Sequence, residues 1–175
     1  MSTVSLSLDE IFDLAKKTLL ANGCDDETAS ILSDLIRNAE RDGSLSHGLF
    51  RLPAYVSGLK SGKINGKGKP EIQKVSASVI KVKGNSCLAP VVLNKGLPEL
   101  AKAAKENGVA VLAINNSHHM AAMWPETEKL AEEGLVAFAC TSYKPAVAPA
   151  GAIKPLFGTN PISFAWPRPG KTPVV

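Results

Sequence analysis

The periodicity of apolar residues changes across one short segment, and that change restricts the fold more than any other feature. Before Ser61, apolar residues recur at helical spacing; after Pro70 they come in short alternating or continuous runs separated by helical stretches. Ser7 and Glu10 form a capping-box pattern around Leu8, Ile11, Phe12, Ala15 and Leu19, and Gly23 ends the helix this predicts over 7–22. A second helix is predicted from Asp26 to Arg41, with Ala29, Leu32, Leu35, Ile36 and Ala39 on one face. The short link between them implies an antiparallel helical hairpin. Pro53 suits a first helical turn, which places a third helix over 53–60 and leaves 46–51 as an irregular entry.

The segment from Ser61 to Pro70 sets Gly62, Gly66 and Gly68 among lysines and reads as a mobile linker and the domain boundary. Beyond it, Ile72 to Lys83 alternates like a strand, and a helix follows over 91–107 despite Pro98. The continuous apolar run 109–114 is of the kind buried on both faces of a sheet. A helix over 125–133 and strands over 135–140 and 162–166 come next, and Val174-Val175 begins another strand. The class expected is α/β in the broad sense that includes α+β, with a helical part in 1–70 and a sheet-containing part in 71–175.

Composition excludes several alternatives. At 45% hydrophobic and 21% charged, the 175 residues have the balance of a globular chain rather than a disordered or fibrous one. No apolar run approaches the roughly 20 residues of a membrane span. The N-terminus has no basic stretch followed by an apolar core, so a cytoplasmic location without membrane attachment is expected. Although the net charge is +4, Lys60, Lys63, Lys67, Lys69 and Lys74 lie in a glycine-rich stretch without aromatic residues. That argues for a solvated basic loop rather than a nucleic-acid surface. Cys24, Cys87 and Cys140 are widely spaced with no CxxC pair, so neither a zinc knuckle nor a disulfide framework is expected. Cys140 ends an apolar run and reads as a buried, inert thiol.

The chemistry narrows to a few loop residues. His47 sits between Ser46 and Gly48 at a helix entry, and His118 and His119 follow an apolar strand. Adjacent histidines diverge on a regular backbone, and no HExxH or carboxylate cluster accompanies them, so no metal is expected. There is no GxSxG elbow, which disfavours a hydrolase, and only an irregular backbone would let Ser46 reach its neighbour His47. Proton donation by His47 suits the ordinary histidine pKa of about 6.5. Arg51, four residues on, shares a face with His47 if the chain turns helically, and a guanidinium grips a carboxylate well. On spacing alone, a surface pairing of Arg51 with an acidic neighbour has equal weight. Phe157-Gly158-Thr159-Asn160-Pro161 is a well-made polar turn. No GxGxxG opens a helix, so a Rossmann dinucleotide site is not supported.

Four blocks taken together, Asp42 to Pro53 (DGSLSHGLFRLP), Asn116 to Ala122 (NSHHMAA), Val147 to Gly151 (VAPAG) and Pro155 to Pro161 (PLFGTNP), resemble the malate/L-lactate dehydrogenase-like family. This family of NAD(P)-dependent oxidoreductases is unrelated to the Rossmann-type lactate and malate dehydrogenases. The stretch His118 to Glu126 looks most like its branch of Δ1-piperideine-2-carboxylate and Δ1-pyrroline-2-carboxylate reductases; keto-acid members usually carry a phenylalanine–glycine pair where Met120-Ala121 stands.

The resemblance implies His47 as proton donor with Ser46 as its relay partner, and Arg51 and Thr159 as substrate-binding residues. It implies cofactor contact by His119, Met120, Ala121, Ala122 and Met123, with NADPH as cofactor and NADH as the alternative. The substrate would be a small cyclic imino acid reduced to L-pipecolate or L-proline; the alternative is a 2-keto acid in a malate- or lactate-like dehydrogenase. The implied fold is a helical dimerisation and substrate domain (1–70) in a homodimer, plus a non-Rossmann NADP-binding domain (71–175) built on a large, mainly antiparallel sheet. Family members are longer, with a following block resembling F-D-x-A-T-S that carries a relay aspartate. The chain is therefore expected to be an N-terminal portion, and an inactive truncated fragment is a further alternative.

Overall fold

The computed structural model describes residues 4–119 and 121–175. Helices α1 (Leu8–Ala21) and α2 (Asp26–Arg41) form the expected hairpin. The capping box is present, with Glu10 N–H donating to Ser7 Oγ at 3.2 Å and Ser7 N–H to Glu10 Oε2 at 2.7 Å. Asp25 caps α2 by accepting the Thr28 N–H at 2.9 Å. Two single 3₁₀ turns, Leu45–His47 and Leu49–Arg51, then lead into α3 (Leu52–Lys60), which carries Pro53 in its first turn.

Strands β1 (Glu71–Lys74) and β2 (Val79–Lys83) pair antiparallel, and β2 runs parallel to β3 (Val111–Asn115) after the crossover helix α4 (Ala89–Asn107). The alternating stretch 72–83 is therefore a hairpin and not one strand. Its turn at Val75–Ser78 keeps the alternation and lacks glycine or proline, so nothing in the local pattern marks it. Strand β3 is half covered: Leu112 and Ile114 pack against the core while Val111 is exposed. The expectation of burial on both faces fails because α4 covers one face only, lying so close that a Cβ on Gly96 would overlap the Leu112 side chain.

One apolar core joins these parts, with Leu19, Leu32 and Ile36 of the hairpin in the same cluster as Val82, Leu88 and Val92. The segment 61–70 is built into it rather than being a mobile linker. Asn65 N–H donates to the Ser86 carbonyl at 2.9 Å, and Asp25 N–H to the Gly66 carbonyl at 3.0 Å. Gly66 and Gly68 are there for close packing, since a Cβ would meet the Gly23 and Cys24 backbone or the Cys87 thiol. Lys69 bridges Asp25 and Glu27.

Residues 4–119 and 121 form one compact unit, and Ala122–Val175 form a second. In the second, α5 (Trp124–Glu132) packs on an antiparallel sheet of β4 (Ala137–Cys140), β5 (Ile162–Arg168) and β6 (Lys171–Val174). The Val174 end of the chain is thus the partner strand of a hairpin with β5. Ala137 and Ala165 are buried, whereas Phe138, Ile162 and Trp166 are 63%, 68% and 54% exposed. Alternating pleats put these large residues on the uncovered face. Cys140, opposite Ile162, is likewise exposed, contrary to the buried thiol expected.

Candidate active site

In the first unit, the 3₁₀ turn Leu45–His47 solves the geometric difficulty of a serine next to a histidine. Ser46 Oγ lies 3.0 Å from His47 Nδ1, and Ser44 Oγ lies 3.3 Å from the same nitrogen. Two hydroxyls at Nδ1 leave Nε2 as the nitrogen turned to other partners. Glu40 of α2 supports the loop by accepting the Leu49 N–H at 2.7 Å, and its side chain fills the space where a Cβ on Gly48 would stand.

Arg51 Nε donates to the Ser46 carbonyl at 2.7 Å, so the guanidinium is tied to the loop that carries His47. Among the described residues Arg51 forms no ion pair with an acidic side chain. The pairing with an acidic neighbour, left open by spacing, is not what this arginine does. Partial burial pushes the His47 pKa below its usual value, and the Arg51 charge pushes it further the same way.

His119 completes the cluster. Its ring stacks on that of His47 with centroids 6.5 Å apart and planes at 22°, and Tyr55 Oη lies 3.1 Å from its Nδ1. Burial, helped by Arg51 and His47, lowers the His119 pKa to about 4, so this ring is neutral near pH 7. Positive φ values at Asn116, His119 and Ala121 turn the chain out of strand geometry after β3. His118 instead joins the backbone of Cys87 and Ala89, accepting from Ala89 N–H at 2.8 Å, and its side chain is exposed.

Of the remaining expected site residues, Ala121 ends the first unit. Met120 lies outside the described residues. Ala122 and Met123 are buried in the second unit, and Thr159 is exposed there. The Thr159 turn is held by Asn160 Oδ1, which accepts the Tyr143 N–H at 2.9 Å. Gly158 is required, because a Cβ would overlap the Tyr143 carbonyl. Among the described residues no group of three histidine, cysteine or acidic side chains is placed to hold a metal. Tyr55, Ser44 and Glu40 were not singled out from the sequence: Tyr55 looks like any core aromatic at helical spacing.

Glu126, in the first turn of α5, is a second unforeseen feature. It is buried, its Oε1 has no hydrogen-bond partner among the described residues, and burial raises its pKa to about 8. Between pH 4.5 and 8 the folded chain therefore binds a proton that the unfolded chain releases, so this group's support for the fold fades as pH rises. Glu126→Gln removes that loss. Its stability relative to the parent chain should grow by roughly 3–4 kcal/mol from pH 5 to 8 in urea unfolding; parallel pH curves would contradict the assignment.

The helical hairpin, the α4 crossover and the serine–histidine–arginine loop together define the class. The chain belongs to the malate/L-lactate dehydrogenase family, whose sequence profile matches residues 6–175. A Δ1-pyrroline-2-carboxylate/Δ1-piperideine-2-carboxylate reductase of Pseudomonas syringae pv. tomato is 42% identical over 173 residues, which are 99% of this chain and 50% of that protein. A Δ1-pyrroline-2-carboxylate reductase of Burkholderia ambifaria is 41% identical over 175 residues, 100% of this chain and 52% of its own length. The crystal structure of the Δ1-piperideine-2-carboxylate reductase from Pseudomonas syringae superposes with a TM-score of 0.90, covering 98% of this chain and 52% of that one. Malate dehydrogenase from Pyrococcus horikoshii superposes with a TM-score of 0.89 at 32% identity, covering 97% of this chain and 49% of that one. The chain spans about half the length of the curated relatives it matches.

Proposed function

We propose that this chain carries the proton-donor and carboxylate-binding half of an NADPH-dependent reductase of small cyclic imino acids, Δ1-piperideine-2-carboxylate and Δ1-pyrroline-2-carboxylate. The observation that carries the reading is the tie between His47 and Arg51. A proton donor and a cation without an acidic partner among the described residues share one short loop through the 2.7 Å bond from Arg51 to the Ser46 carbonyl. The relatives at 42% and 41% identity, both named as reductases of such imino acids, supply the substrate class.

Arg51 holds the substrate carboxylate through its guanidinium. Bound this way, the ring nitrogen of the imine faces His47 Nε2. When bound, the cofactor supplies hydride for the imine carbon. His47 gives its proton to the imine nitrogen, and the neutral ring is left with Nδ1 against the Ser46 and Ser44 hydroxyls. Nδ1 keeps its own proton against Ser46, and a proton taken up from water at Nε2 restores the donor. Since the imine is conjugated to a carboxylate, orientation and proton supply are the main tasks left to the protein.

Residues of the first unit fit to meet a nicotinamide nucleotide are His119 and Ala121, where positive φ turns the backbone and alanine adds no bulk. A neutral His119 suits an uncharged ring in its vicinity. NADPH rather than NADH, a cytoplasmic homodimer, and domains at 1–70 and 71–175 of the whole protein are parts of the same reading.

Arg51→Met tests the carboxylate grip. A charge-assisted hydrogen bond is worth roughly 1.5–3 kcal/mol, so KM for the imino acid should rise about 10- to 100-fold with a much smaller change in kcat. An unchanged KM would remove Arg51 from the substrate site.

A further inference from the structure

We propose that Tyr55 is a positioning residue of this site: its hydroxyl, hydrogen-bonded to His119 Nδ1, holds the second imidazole as the Nε2–H tautomer, stacked against His47. This deepens the reading of His47 as proton donor and rests on it for its catalytic meaning. The geometry itself is independent of that reading.

Tyr55 follows Arg51 by four residues at the start of α3, so the two side chains lie on one face of this helical segment. The tyrosine is 3% exposed, and burial lifts its pKa to about 12. It therefore remains a phenol across the working range, and a phenol offers its O–H to the 3.1 Å contact with His119 Nδ1. A ring accepting at Nδ1 carries its own proton at Nε2. The ring also meets Tyr55 edge-on, with centroids 5.6 Å apart at 63°, which limits its rotation. His119 sits at φ 41°, a backbone conformation that side chains other than glycine seldom adopt and that needs outside support.

Other groups face the pair. Arg51 acts on both histidines, Ser44 and Ser46 contact His47, and Glu40 holds the following backbone at Leu49. Burial, and after it the positive charge of Arg51 and the neighbouring His47, oppose a proton on His119. A hydrogen bond given to Nδ1 opposes it as well, because that bond exists only with the unprotonated nitrogen. The result is two neighbouring imidazoles, centroids 6.5 Å apart, with divided roles: His47 takes and gives the proton, while His119 stays neutral in a fixed tautomer and does not compete for it.

The chain has three histidines, so each ring can be assigned in the ¹⁵N and ¹H spectra of the full 175-residue chain by comparison with H47Q and H118Q. In the parent protein at pH 7, His119 should show an unprotonated Nδ1 and a protonated Nε2. In Tyr55→Phe, which keeps the ring and loses the hydroxyl, His119 should sample both tautomers and its titration midpoint should rise by about one pH unit. A purely space-filling role for Tyr55 would leave the tautomer and midpoint unmoved in the variant, and that result overturns the proposal. So does an Nδ1–H tautomer in the parent chain, a measurement that stands even if the variant fails to fold. Loss of imine turnover with the tautomer as stated counts against the reductase reading and not against Tyr55.

Discussion

Replacing His47 with glutamine is expected to lower kcat for reduction of Δ1-piperideine-2-carboxylate by about 10²- to 10⁴-fold, the usual contribution of a placed proton donor. Glutamine retains a hydrogen-bonding group of similar reach but has no proton to give near neutrality, so substrate affinity should change much less. The expected pH dependence is equally specific. Burial and then Arg51 lower the His47 pKa, so in the free protein the protonated donor is lost as pH rises through a value below the ordinary one. A substrate carboxylate on Arg51 offsets the second influence. The alkaline limb of kcat, which reports the complex, should therefore lie at higher pH than that of kcat/KM, which reports the free protein. Coincident limbs would mean that Arg51 does not hold the carboxylate beside His47. A His47→Gln protein with parental kcat would remove His47 from the chemistry.

The second large effect lies in the core under the site. Leu32 is 0% exposed on the inner face of α2 and belongs to the cluster that joins α1 and α2 to β2 and α4. Leu32→Ala deletes buried methyl groups where α1 and α4 cannot both move in to fill the space. The expected loss is about 2–5 kcal/mol in urea unfolding, a large fraction of the roughly 5–15 kcal/mol that holds a typical domain folded. Because α2 also presents Glu40 to the Leu49 N–H, the same substitution should loosen the loop that carries His47. A loss under about 0.5 kcal/mol would show that Leu32 is not part of a close-packed core.

Local rules reached furthest where the chain obeys them locally. The capping box at Ser7, the period of α2 and the proline at the head of α3 depend on neighbours within four residues, and those elements form where expected. The hairpin within 71–83 and the tight packing of Gly66 and Gly68 depend on residues far along the chain, and neither has a local mark. Strand 135–140 illustrates a different limit. Its apolar run reads as fully buried, yet in β4 Phe138 and Cys140 lie on the uncovered face of the sheet.

In the site, Ser46, His47 and Arg51 were legible because a short loop holds all three, although only the 3₁₀ turn explains how Ser46 reaches His47. Tyr55 was not, since its value comes from a contact 64 positions away. Thr159 was legible as part of a polar turn, and its assignment to the substrate is an expectation from family resemblance alone.

The most direct measurement follows loss of NADPH absorbance by the purified chain with Δ1-piperideine-2-carboxylate, alongside pyruvate, for the parent and for His47→Gln. The expected result is NADPH consumption with the cyclic imine, little with pyruvate, and its loss in His47→Gln. Consumption with pyruvate and none with the imine would contradict imine reduction and place the chain with the 2-hydroxyacid dehydrogenases of its family.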